Sequence, residues 1–145
     1  RKGGSTDKYL LSADGKPLGK NEEVPSCCNW TWWDGDLLRE TFKGDDNRWG
    51  ASSSSNGRSL SIVKWKGETL TQDIEGDILM IADLYGDWRE EIITALPGEI
   101  RIYTTNLPAK DRRTTLMQDG IYRSYVAHRS MGYPQAPVPS YYLGE

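Results

Sequence analysis

The chain has 145 residues, 37% of them hydrophobic and 27% charged, with a formal net charge of −3 and a mean hydropathy of −0.67. This is the composition of one ordinary globular domain with much surface relative to core. A mildly acidic chain without a basic run has no broad attraction for nucleic acid, and no stretch reaches the roughly 20 apolar residues of a membrane span.

Residues 1–28 mix Gly, Ser, Asp, Lys and Pro around one apolar group, Tyr9-Leu10-Leu11, followed by the turn-forming Ala13-Asp14-Gly15-Lys16-Pro17. This is a loop-rich segment with one strand, or the end of a preceding unit. The chain opens on Arg1-Lys2-Gly3-Gly4 rather than on Met, which is expected of a piece whose export signal lies upstream. Cys27 and Cys28 are adjacent, a spacing that suits neither an unstrained disulfide between them nor a zinc site. From Asn29 the texture changes. Trp30, Trp32 and Trp33 lead through Asp34-Gly35-Asp36 into Leu37–Phe42, which predicts strand, tight turn, strand. The Ser run Ser52–Ser55 is a surface loop, Leu60–Trp65 a strand, and Lys66-Gly67-Glu68 a turn. Ile78–Ala82 is a continuous apolar run between turns and predicts a fully buried strand. Glu91–Leu96 is another strand, Pro97-Gly98 turns, and Glu99–Thr104 alternates with period two as its hairpin partner. Only 114–129 hints at helix, and it contains the lone His128, which predicts a packed or solvated residue. The six Trp and eight Tyr against a single Phe combine apolar faces with polar edges, suiting both strand cores and sugar stacking.

An internal repeat lies in this order. Setting Gly35-Asp36 over Gly86-Asp87, an offset of 87 − 36 = 51, places Glu40 over Glu91 and Trp33 over Leu84. Propeller blades recur at roughly 40–50 residues with four short strands each, so the chain predicts an all-β fold with about two blades and one short C-terminal helix. A β-sandwich is the alternative.

The second copy offers carboxylates at positions one, five and nine around a glycine turn, Asp83, Asp87 and Glu91, with the Arg89 carbonyl at position seven and Gly86 at the bend. Calcium takes six to eight oxygen ligands, and this pattern resembles the calcium loops of integrin-type propeller repeats. The first copy offers Asp34, Asp36 and Glu40, with Trp32 in the first position. Arg89 and Arg39 beside these acids are the competing reading, ion pairs that brace a hairpin without metal.

The runs Ala82–Ile93, 101–105 and 141–144, with 32–40 upstream, resemble the C-terminal part of polysaccharide lyase family 11 from about Asn29 to Gly144. The resemblance implies a secreted, periplasmic or cell-surface enzyme built as an eight-bladed β-propeller that binds several calcium ions (Ca2+) and cleaves rhamnogalacturonan, an acidic plant polysaccharide, by β-elimination. Residues 29–145 would then be its C-terminal blades, completed by N-terminal blades outside the chain. It also implies a functional tyrosine near the C-terminus, matched by Tyr133 in Met131-Gly132-Tyr133-Pro134-Gln135. Lys110, Arg112 and Arg113 form a basic cluster that could meet polyuronate. Two family features do not match: no lysine precedes Ala82 in Asp73–Leu79, and no asparagine stands near Ser130. The expected activity therefore belongs to the longer protein rather than to this chain alone. Two other classes remain open, a non-catalytic calcium-dependent glycan-binding propeller and an integrin-like protein-interaction propeller.

Overall fold

The computed structural model describes residues 10–12, 14–19, 30–43, 59–132 and 135–143. Cys27, Cys28, Tyr133 and the Ser52–Ser55 loop lie outside them. The strands are β1 (Leu10–Leu11), β2 (Pro17–Gly19), β3 (Trp30–Thr31), β4 (Glu40–Lys43), β5 (Ser59–Val63), β6 (Thr69–Glu75), β7 (Asp77–Ala82), β8 (Glu91–Leu96) and β9 (Glu99–Tyr103). They form an antiparallel two-stranded ribbon β1-β2, a four-stranded sheet β3-β4-β5-β6 and a three-stranded sheet β7-β8-β9. A 3-10 turn at Leu116–Gln118 leads into α1 (Gly120–Arg129), within the stretch where the sequence hints at helix. Asp119 caps α1 by accepting the Tyr122 N–H at 2.8 Å, and His128 and Arg129 sit in its last turn, where the helix dipole favours cations.

Strand β6 is not foreseen by the sequence pattern, because its alternation is broken. Leu60 pairs with Ile74 but Ile62 with Thr71, so β6 carries one extra residue, and Asp73 takes a positive φ of 62° there. The predicted strand from Leu37 starts only at Glu40, since Asp34 and Asp36 hold residues 36 and 38 in the turn.

One hydrophobic cluster, Trp33, Ile62, Ile74, Ile81 and Ile92, joins the two larger sheets. Ile81, Ile92 and Tyr103 stand in one cross-strand row on that inner side. The row Met80, Ile93, Ile102 and the pair Ala95, Ile100 occupy the opposite side, where Ile100 and Ile102 are exposed. Ile78–Ala82 is thus not fully buried along its length: Ile81 and Ala82 are, while Leu79 is exposed at a bulge. The Leu79 carbonyl accepts from Arg129 Nε of α1 at 2.7 Å, which blunts the β7 edge. β9 is the other edge. Its Pro97-Gly98 turn uses Gly98 at φ 82°, which fits the two-residue hairpin expected there. A second cluster, Trp32, Trp88, Leu116, Tyr122 and Leu143, fixes α1 and the 3-10 turn beneath the two acidic loops. Three of the Trp residues considered for sugar stacking, Trp32, Trp33 and Trp88, are therefore core residues. No helix among the described residues is long and apolar enough to cross a membrane.

Candidate functional site

The 51-residue offset is a structural repeat at both loops. Strands end at Thr31 and Ala82 and resume at Glu40 and Glu91, and the pairs Thr31–Glu40 and Ala82–Glu91 close the two hairpins in the same register. The carboxylates that end the loops act alike. Glu40 Oε2 accepts the Trp33 N–H at 2.9 Å; Glu91 Oε2 accepts the N–H groups of Leu84 and Tyr85 at 2.8 and 3.2 Å. Burial pushes both carboxyls up. Glu40 rises to about 7, with Asp34 and Asp36 adding repulsion.

Between those braces the loops differ. In the first, one carboxylate oxygen each from Asp34, Asp36 and Glu40 lie within 4.8 Å of one another. Asp34 accepts the Asp36 N–H and Asp36 the Leu38 N–H, both at 2.8 Å. Lys64, just after β5, places its ammonium 2.6 Å from both Asp34 Oδ2 and Asp36 Oδ2. Burial works to raise the Asp36 carboxyl, yet the hydrogen bonds from Lys64 and Leu38 carry it below its ordinary value.

In the second loop Asp83 is buried and accepts four hydrogen bonds, from Gly86 N, Trp88 N, Leu116 N and the Thr115 hydroxyl, at 2.8, 3.2, 2.8 and 2.7 Å. Its oxygens dock the 3-10 turn onto the loop. Asp87 is bound by Arg89, which donates from its backbone N–H and Nε at 3.1 Å and from its terminal nitrogen. Arg89 also donates to the Leu107 carbonyl. Thr104 completes the set by donating to Glu91 Oε1 at 3.0 Å. Gly86 turns the chain at φ 78° and Trp88 is held at φ 70°, its indole N–H donating to the Asp111 carbonyl at 2.8 Å.

Buried Glu90 ties the loops together. Its N–H donates to the Trp32 carbonyl at 2.9 Å, and its carboxylate accepts the Trp32 N–H at 3.0 Å and the Tyr122 hydroxyl at 2.8 Å. The Tyr122 oxygen in turn accepts the Asp83 N–H at 2.9 Å. Burial raises Glu90, and the Arg39 cation pulls against that rise. Arg39 lies 3.6 Å from the Trp32 ring centroid and donates to the Pro137 carbonyl.

Beside this network is an open cleft of about 540 Å³, lined among others by Arg112, Arg113, Gln118, Asp119 and Tyr141. Arg113 Nε is buried with no hydrogen-bond partner among the described residues. Its wall includes Thr115, so Asp83 holds cleft and loop in one piece. The predicted basic cluster is divided: Arg112 and Arg113 line the cleft, while Lys110 packs on the first loop, where a Cβ on Gly35 would meet its side chain at 3.2 Å. His128 is exposed in the last turn of α1. Sequence reasoning did not single out Lys64, Glu90 or Tyr122. Glu90 stands beside Glu91 in the repeat and could have been separated from it only by the facing of alternate residues.

Comparisons with known proteins follow this architecture along nearly the whole chain. Residues 3–145 match the family described as Rhamnogalacturonan lyase family 11, C-terminal domain. The chain is 40% identical over 139 residues to rhamnogalacturonan endolyase YesW of Bacillus subtilis and 35% identical over 147 residues to its rhamnogalacturonan exolyase YesX. Those alignments cover 94% and 93% of this chain but only 22% and 23% of the relatives. The crystal structure of exotype rhamnogalacturonan lyase YesX superposes with a TM-score of 0.74 at 32% identity, covering 94% of this chain and 24% of that one. A Bacillus licheniformis rhamnogalacturonan lyase gives 0.70 at 30% identity, with coverages of 94% and 23%.

Proposed function

Because the chain belongs to rhamnogalacturonan lyase family 11 and spans its C-terminal domain, we propose that it is part of an enzyme that cleaves rhamnogalacturonan by calcium-assisted β-elimination. The carrying observation is the family match over residues 3–145, and the arginine-lined cleft supports it. In β-elimination a base takes the C5 proton of a uronate, the freed pair forms the C4–C5 double bond, and the C4–O glycosidic bond breaks. Negative charge builds on the uronate carboxylate, so cations must sit beside it.

From this chain Arg112 and Arg113 are proposed to hold uronate carboxylates by charge-assisted hydrogen bonds, with Lys110 adding charge nearby. Tyr133 is proposed as the residue that meets the reacting sugar. The two sheets are proposed as consecutive propeller blades, with the apolar side bearing Met80, Ile93 and Ile102 stacking on a further blade of the complete, exported protein. Calcium, when bound, supplies a divalent charge against the uronate carboxylate. Asp34, Asp36 and Glu40 have the oxygen chemistry for it, but the Lys64 ammonium already lies on the two aspartates. Asp83, Asp87 and Glu91 have protein donors on their oxygens, with the Arg89 side chain on Asp87. With those protein donors in place the acids of these two loops do not fit the ion.

The test is ultraviolet absorbance of unsaturated uronate when the full-length protein meets rhamnogalacturonan and calcium. Retention of the polymer without product would sink the lyase reading in favour of a glycan-binding propeller. Replacing Arg112 and Arg113 by Ala should lower kcat/KM about tenfold or more, as expected for lost charge-assisted contacts to a carboxylate. The isolated chain, with about two blades, should give no measurable product.

A further inference from the structure

We infer that Lys64 is the resident cation of the first acidic loop, an ammonium standing where three converging carboxylates would otherwise draw a divalent ion. Three carboxyl groups with oxygens within 4.8 Å repel one another when ionised unless a positive charge lies among them. Lys64 supplies it, 2.6 Å from each aspartate, with its side chain about one-third exposed.

The position of Lys64 is built by the chain rather than reached by a loose side chain. Its N–H donates to the Glu68 carbonyl and its carbonyl accepts from Gly67, both at 3.0 Å, which closes the turn after β5. A Cβ on Gly67 would come within 2.8 Å of the Lys64 Cβ, so the turn requires glycine there to leave room for the lysine stem.

The repeat supplies an internal control. Thr41 pairs with Val63 and Ile92 with Tyr103, and 92 − 41 = 51, so the residues after those partners, Lys64 and Thr104, hold corresponding places. By the same offset Asp34 corresponds to Tyr85. The first loop thus has an aspartate and a lysine where the second has a tyrosine and a threonine. At these places the aspartate and the lysine that meets it occur together in the first loop, and neither occurs in the second.

The experiment is thermal melting of the full chain and of Lys64→Met, each in calcium and in chelator. The wild-type chain should melt at the same temperature in both. Lys64→Met should melt several degrees lower in chelator and recover most of that loss in calcium, because a native-state ligand stabilises by linkage. Lys64→Thr, which installs the residue of the sister loop, should behave the same way. An equal calcium response in wild type and variants would overturn the inference by showing that the loop takes metal despite the lysine. Absence of a calcium response in both variants would overturn it by showing that the ammonium replaces nothing. Failure of both variants to fold in calcium counts against it too, since the ion should restore the lost charge.

Discussion

The loop at residues 32–40 and the loop at 83–91 share a backbone plan and a closing glutamate, yet they neutralise their acids from different places. In the first the cation is Lys64, delivered by the third strand of the sheet. In the second it is Arg89, two residues from the Asp87 it binds. The difference matters because Asp83, which has no acidic counterpart in the first loop, is free of that task and serves as an acceptor that joins loop, 3-10 turn and cleft. The same letters, acid around a glycine turn, therefore encode a charge-balanced brace in one copy and a docking point in the other.

The largest expected effect tests that docking role. Asp83→Ala removes one acceptor from four donors, three of them backbone N–H groups, and should destabilise by about 3–5 kcal/mol in denaturant unfolding, given a cost of ~1–3 kcal/mol per stranded buried donor. A loss no larger than that of a surface substitution would break the comparison. A medium effect concerns the shared brace. The Glu40 carboxyl is raised to about 7 in the folded chain, so the native state holds its proton more tightly than the unfolded chain does. Stability should be full below the ordinary glutamate range and fall as pH climbs towards 7, then level off. Glu40→Gln keeps an acceptor for the Trp33 N–H while removing that titration, and should flatten the curve; an unchanged slope would place the titrating group elsewhere. The smallest effect is at Asp87, whose side chain is 41% exposed. Asp87→Ala should cost about 1 kcal/mol or less, equally in calcium and in chelator, as for an ion pair near the surface. A loss seen only in calcium would instead make Asp87 a metal ligand.

Much of this fold was legible in residue order. The 51-residue offset, the Pro97-Gly98 hairpin and the helix region all followed from turn chemistry and periodicity. Strand β6 did not, because the bulge at Asp73 shifts its side chains by one position. The candidate site was legible as a set of acids but not as a set of bonds. Carboxylates around a glycine turn have the same letters whether they face a metal, a lysine or an N–H group. Lys64 was hidden because β4 and β5 are separated by a long connection, so the register of its neighbour Val63 opposite Thr41 cannot be counted from the sequence as that of Tyr103 opposite Ile92 can.

Strand β9 carries a handling consequence. Ile100 and Ile102 are exposed on an edge strand, at 68% and 52%, and Leu96 and Ile93 lie in the neighbouring strand. Such an edge is a template for pairing with a second copy, and concentrated solutions of the isolated chain should self-associate through it. Glu99 and Arg101, interleaved with the two isoleucines, act as gatekeepers against in-register growth, so the colloidal behaviour of the chain will depend on salt as well as on concentration.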